Sequence, residues 1–290
     1  MATPFLPDLS GVQPRRATTS SKPKAAALPS MLGDHEIAPH LRNLSYGARK
    51  LELKLKVKPK KSPIIIEGFP GFGFVATIAV EYLMDHLKMH SIGSFWSPRL
   101  APIAFVHGKR IVQPLEIFHN DKYNIIVVEA VAGVAGMEWE VADALLQLYK
   151  KVNAKEIISI EGIGAPVSRA EPAAYFYANN DASKKKFEAM GVSQIRDGII
   201  FGPSGALMLK TDKAINSSYI FAETRSNLPD SRAAAKIIEV LDKYLGLKVD
   251  CKPLLKKAAG FEEELKGLLQ QAKEAGTLKR DNEDEQAYIG

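Results

Sequence analysis

At 290 residues, 46% of them hydrophobic, the chain is long enough to bury one large core or two small ones. Its single cysteine, Cys251, excludes a disulfide framework and a cysteine-built zinc site and fits a reducing, cytoplasmic setting. The formal charge of +6 sits in the leading segment: residues 1–62 hold twelve Lys/Arg against four Asp/Glu, so the remainder is near neutral at −2 and gives no support for a nucleic-acid-binding body.

Residues 1–48 are rich in Pro, Ser, Ala and Arg and lack sustained periodicity, which predicts a disordered basic extension. A transit peptide also fits, because Asp8 is the one acid in the first thirty-three residues, and Met31 offers a second start. The alternation Leu51-Glu52-Leu53-Lys54-Leu55-Lys56-Val57-Lys58 predicts a half-exposed edge strand whose lysines discourage pairing with another chain. A β-branched run then predicts a buried strand over 64–67, a tight Gly/Pro/Phe loop, and a helix over 72–88. A strand is expected over 91–96, and a hairpin over 103–106 and 110–118 turns at Gly108-Lys109. Further strands are read over 123–130, 156–161, 174–178 and 219–224, and helices over 138–152, 182–190 and 231–245, with a short one after Gly202-Pro203-Ser204-Gly205. Strands alternating with helices predict one α/β domain over 49–250, a three-layer α/β/α sandwich with a largely parallel sheet. A final helix over 251–276 begins with Pro253 and stops at Gly276, and a polar tail over 277–290 ends Ala287-Tyr288-Ile289-Gly290. No apolar run approaches the ~20 residues that span a bilayer, so no membrane contact is expected.

Two candidate sites stand out. Gly71-Phe72-Gly73-Phe74-Val75-Ala76 has the G-x-G-x-x-A spacing of a dinucleotide fingerprint, between a strand and a helix. The acid such a site needs after the second strand is missing, because Ser97-Pro98-Arg99 stands there, and Phe69, Phe72 and Phe74 make the loop apolar. No P-loop pattern occurs. The second candidate is a set of four apolar strands each ending in a glutamate: Glu67, Glu129, Glu161 and Glu223. In a parallel sheet these carboxylates converge at the carboxyl edge, where α/β proteins place ligands. Such a pocket, with Gly68, Phe69, Gly71 and Gly73 beside it, can hold a divalent metal or one proton donor of raised pKa; alternatively each glutamate caps a turn or a helix.

Other patterns fail on spacing. His35 and His40 are five apart with Pro39 between, so they do not share a helical face, and His86, His107 and His119 show no metal-ligand spacing. Gly202-Pro203-Ser204-Gly205 is not a nucleophile elbow, and Cys251 stands alone. No catalytic residue, metal or cofactor is therefore assigned.

Ile66-Glu67-Gly68-Phe69-Pro70-Gly71-Phe72-Gly73 with its following helix resembles the opening signature of the proteasome assembly chaperone 2 family. Ile126-Val127-Val128-Glu129 and Ile160-Glu161-Gly162-Ile163-Gly164-Ala165-Pro166 are similar to its later core strands, and the likeness spans about 51–245, nearest to the archaeal homologues. The resemblance implies a phosphorylase/hydrolase-like α/β/α fold, homo-oligomers, and binding to the α-subunits that form the proteasome α-ring, without catalysis. It also implies a use for the tail. Activators and some archaeal assembly chaperones end in a hydrophobic residue, a tyrosine and any residue, a tip that enters pockets between α-subunits. Here Ala287, Tyr288 and Ile289 fit, but Gly290 follows and moves the terminal carboxylate out by about 3.3–3.6 Å. A flexible tether and several copies on an oligomer would raise a weak tip affinity. The alternative is an ATP-grasp-like ligase or phosphorylase-like enzyme using the four strand-end glutamates.

Overall fold

The computed structural model describes residues 50–107, 110–131, 133–164, 171–224, 228–256 and 267. The predicted extension, most of the predicted final helix and the tail lie outside them; of that helix, residues 252–256 are helical.

Among the described residues, apart from the helical stretch 252–256, eleven strands and five α-helices follow in the order β1 (Glu52–Leu55), β2 (Ile64–Gly68), α1 (Val75–His86), β3 (His90–Trp96), β4 (Phe105–His107), β5 (Arg110–Val112), β6 (Leu115–Asn120), β7 (Ile125–Ala130), α2 (Glu138–Val152), β8 (Glu156–Gly164), β9 (Ala174–Ala178), α3 (Asp181–Ala189), β10 (Ser193–Gln194), α4 (Gly202–Lys210), β11 (Ser217–Thr224) and α5 (Ser231–Leu245). Nine strands form one sheet in the order β1-β3-β6-β7-β2-β8-β11-β9-β10. Its centre, β7-β2-β8-β11, is parallel throughout, and β6, β3 and β1 add antiparallel strands on one side. On the other side β9 is antiparallel to β11 and β10 parallel to β9.

The central strands are largely buried because helices cover both faces. One face packs Ile66, Val127, Ile158 and Ile220 under α1 and α5. The other packs Ile65, Ile126, Ile157 and Phe221 under α2 and α4. Side chains that alternate along a strand thus feed two separate cores. As expected, β1 is an edge strand, and Lys54 lies 4.7 Å from the Trp96 ring of β3. Helix ends follow local chemistry. The Asp230 carboxylate caps α5 by accepting from Arg232 and Ala233 N–H at 3.1 and 3.0 Å, and Gly246, at φ 70°, ends it.

Two expectations are corrected. The run 110–118 is not one hairpin strand. Pro114 has no N–H to give a ladder, so β5 stops at Val112 and β6 starts afresh in the main sheet. The helix expected from residue 72 is preceded by a separate 3-10 turn at Phe72–Phe74, because Gly73 (φ 64°) and Phe74 (φ 49°) are left-handed.

At the amino end of β8, buried Glu156 ties three elements together. It accepts from Ser183 of α3 at 2.9 Å and from Ser218 of β11 at 2.5 Å, and the Tyr244 hydroxyl of α5 lies 3.0 Å from both of its oxygens. Tyr244 also stacks on Phe187, with ring centroids 4.3 Å apart. Tyr244→Phe keeps the stacking but removes a donor to a buried carboxylate, so it should cost about 1.5–3 kcal/mol in urea unfolding. An unchanged midpoint would show that the serines hold Glu156 unaided.

Candidate functional site

The four strand-end glutamates lie on adjacent parallel strands, in the spatial order Glu129, Glu67, Glu161, Glu223. They do not form one cluster. Glu67, Glu161 and Glu223 share the face of Ile65, Ser159 and Phe221, under α2 and α4. Glu129 shares the opposite face with Val127 and stands directly across from Glu116 of β6. Glu116 in turn accepts from Ser91 Oγ at 2.5 Å and Gln113 N–H at 3.3 Å.

Glu67 is 0% exposed. Its Oε1 accepts from Ser204 Oγ, on the first turn of α4, at 3.3 Å, and its Oε2 makes no hydrogen bond to the described residues. Burial pushes its carboxyl up to about 8; the Ser159 and Ser204 hydroxyls partly offset this, and the neighbouring Glu161 charge adds to it. Burial likewise lifts Glu161 to about 7, against the opposing effect of Ser204. Glu223 Oε1 accepts from the Tyr175 hydroxyl at 2.9 Å. The central pair therefore holds protons near neutrality.

The glycine–phenylalanine loop packs closely on this end of the sheet. Phe69 is buried on the α2 side. A Cβ on Gly162 would come within 2.2 Å of the Phe72 carbonyl oxygen, and one on Gly73 within 2.6 Å of Thr224 Oγ1. Gly68 is as tight: a Cβ there would meet Val80 of α1 at 2.5 Å. Gly71 is different, because its added Cβ would make only ordinary contact with Glu161 Oε1 at 3.6 Å. Asp230 N–H donates to the Gly73 carbonyl at 2.9 Å, and Thr224 Oγ1 donates to the Asp230 carboxylate at 2.8 Å, which clamps the loop to the start of α5. These glycines serve close packing of loop on sheet; a dinucleotide loop uses them to turn backbone N–H groups toward a pyrophosphate.

Among the described residues the strand-end glutamates do not bring three ligand atoms close together. Ser204, which superficially suggested a nucleophile, donates to Glu67. Beside the central pair, a groove of about 1160 Å³ runs past Glu223, Tyr175, Ile163, Ser193, Ile195 and Arg196. Sequence patterns also missed large apolar side chains left exposed near α4: Ile199, Phe201 and Leu209, with Trp139 of α2, whose ring lies 5.7 Å from Lys210 Nζ. A 3.6-residue apolar pattern does not separate core from interface positions, so no sequence signal marked them. The tip residues Ala287, Tyr288, Ile289 and Gly290 lie outside the described residues.

These features define a three-layer α/β/α protein whose central strand acid, Glu67, is buried in the core. The chain belongs to the PAC2 family, whose model matches residues 65–269. It is similar to Pyrococcus furiosus PbaA, described as an archaeal homolog of proteasome-assembly chaperone, with 33% identity, a TM-score of 0.70, and 77% of this chain and 99% of that one covered. Pyrococcus furiosus PbaB, described as an archaeal proteasome activator, shares the fold at a TM-score of 0.64 and 22% identity, over 76% of this chain and 99% of that one. An uncharacterized Methanocaldococcus jannaschii protein is 27% identical over 213 residues, 73% of this chain and 87% of that one. Among the described residues no helix is long and apolar enough to cross a membrane.

The buried acids give a pH signature. A carboxyl that keeps its proton in the native state above its unfolded pKa makes folding less favourable as pH rises. Stability should therefore fall from the ordinary carboxyl range up to about 8, by up to about 1.4 kcal/mol per pH unit for each such carboxyl, and then level off. Glu67→Gln should flatten this fall and leave the variant more stable than wild type at pH 8, as followed by urea unfolding across pH. A wild-type slope kept in Glu67→Gln would assign the effect elsewhere.

Proposed function

We propose that the protein is a non-enzymatic chaperone or adaptor of the proteasome, acting as a homo-oligomer in the cytoplasm and engaging the α-ring of the core particle. The observation that carries this reading is its 33% identity, over 77% of its length, to a protein described as an archaeal homolog of proteasome-assembly chaperone. The burial of the central acid supports it: Glu67 is 0% exposed, with Ser204 of α4 on its carboxyl. The exposed apolar residues near α4 offer surface of the kind that binds protein. In this reading the folded body carries most of the contact and the tip Ala287-Tyr288-Ile289-Gly290 adds a second, tethered one.

One observation favours a second reading. Carboxyls raised to about 8 and about 7 are those a general acid uses near neutral pH. An ATP-grasp-like ligase or phosphorylase-like enzyme built on the strand-end glutamates must take up nucleotide or metal there, and calorimetry with ATP and Mg²⁺ that gives no heat removes it.

Capture of isolated α-rings and of core particles by the immobilised full chain tests the leading reading. Wild type should retain α-rings at low and moderate salt. Tyr288→Ala should weaken retention by about tenfold or more, the loss typical of a buried interface tyrosine, and deletion of Gly290 should strengthen it. Absence of capture at both salt levels overturns the proposal.

A further inference from the structure

At the opposite end of the sheet, His90 opens β3 and His119 closes the neighbouring β6, and the antiparallel register sets them directly across from one another. Their rings meet edge to face, with centroids 5.9 Å apart and planes at 85°. Asp121, in the turn after β6, offers one oxygen to each: Oδ1 lies 3.5 Å from His119 Nδ1 and Oδ2 lies 3.9 Å from His90 Nε2. Ligand atoms of all three lie within 4.8 Å of one another. The His119 side chain is 2% exposed, whereas His90 and Asp121 are open to solvent at 50% and 63%.

Hydrogen bonding fixes the tautomer of His119. Asn124 Nδ2 donates to the Lys61 carbonyl at 3.0 Å, so Oδ1 is the end of its amide that faces His119 Nε2, at 3.2 Å. A carbonyl oxygen only accepts, so Nε2 carries the hydrogen and the Nδ1 lone pair points at the Asp121 carboxylate. A lone pair and a carboxylate oxygen facing each other repel unless a cation lies between them. A proton on each imidazole meets that need, and so does one metal ion shared by both rings and the carboxylate. An imidazole oriented through its far N–H by an amide is also the usual support for a metal ligand.

We propose that His90, His119 and Asp121 bind a divalent transition metal of the zinc class, with water completing the coordination. Zinc bonds to imidazole nitrogen and carboxylate oxygen of roughly 2.0–2.2 Å place tetrahedral neighbours about 3.3–3.5 Å apart. His119 and Asp121 already stand at that separation, and the exposed His90 ring closes the remainder by a side-chain adjustment. Two imidazoles and one carboxylate favour Zn²⁺, Ni²⁺ or Cu²⁺ over Mg²⁺ and Ca²⁺, which prefer oxygen. Lys60 Nζ donates to the Asp121 backbone carbonyl at 2.9 Å, and its charge lowers affinity below that of a closed four-ligand site. Bound metal ties the start of β3 to the end of β6 and the turn that follows it. It acts as a structural clip, separate from the strand-end glutamates.

Zinc titration of the metal-free full chain, by calorimetry and thermal unfolding, tests this. Because His35 and His40 supply further imidazoles, a His35→Ala/His40→Ala chain is titrated alongside. Wild type and that double variant should each take up one Zn²⁺ per chain with a rise in Tm, and Mg²⁺ should give neither. His90→Ala and Asp121→Ala, at exposed positions that the fold does not need, should lose at least about tenfold in affinity, and Asn124→Gly, which keeps the left-handed backbone there (φ 53°), about 10–100-fold. Absence of zinc uptake, or uptake unchanged in both His90→Ala and Asp121→Ala, overturns the proposal, as does binding abolished only in the His35/His40 variant.

Discussion

The approach of the Phe69–Phe74 backbone to the ends of β8 and β11 governs the carboxyl end of this molecule. With Gly162 offering no Cβ, the Phe72 carbonyl settles onto β8; with Gly73 left-handed, the chain turns over Thr224 and enters α1 at Val75. The Asp230 backbone then holds the Gly73 carbonyl while its side chain caps α5, so the loop and both helices of one face share a single anchor. A side chain at either position would run into the Phe72 carbonyl or Thr224 and force the loop off the sheet.

Buried carboxyls are accommodated in different ways within one sheet. Glu156 is as inaccessible as many core residues, yet three hydroxyls converge on it, so burial is matched by hydrogen bonds. Glu67 has the Ser159 and Ser204 hydroxyls against full burial and a carboxylate neighbour, and in that setting the neutral acid is the less costly form. A buried, protonated acid suits a protein that stores no reactive charge for a substrate. The same carboxyl opened to a ligand would suit an enzyme. Solvent access, more than residue type, separates the two readings.

Much of the frame was legible in the chain. Helices over 138–152 and 231–245 and the strand over 174–178 match observed bounds, because strong amphipathic periodicity and flanking Asn, Asp and Gly residues mark them. The split of 110–118 depended on one proline within an apolar run, and the left-handed Phe74 on tertiary packing that no local propensity encodes. Three of the four glutamates lie one residue from the ends of parallel strands, as expected, whereas Glu161 sits inside β8, which runs on to Gly164. Their division between two faces rests on register: Glu129 aligns with Gly68, one residue past Glu67, and a shift of one residue reverses a side chain's face. Register also hid the histidines, since His90 and His119 are neighbours only across an antiparallel pair with a bulge between Ser91 and Gly93.

The two ends of the parallel strands thus carry opposite electrostatic arrangements. At the carboxyl end, acids crowd together behind glycine-dependent packing, and the charge problem is solved by retaining protons. At the amino end, the short turn 121–124 keeps Asp121 and His90 in water while burying His119, and its asparagines are committed to backbone partners: Asn120 Nδ2 donates to the Leu87 carbonyl and Asn124 Nδ2 to that of Lys61. A fixed donor beside two exposed ones can exchange its cation with solvent, whereas the Glu67 carboxyl is wholly buried. A metal at the open end would therefore reinforce the sheet while leaving the loop, and any surface engaged by a partner near α4, unchanged.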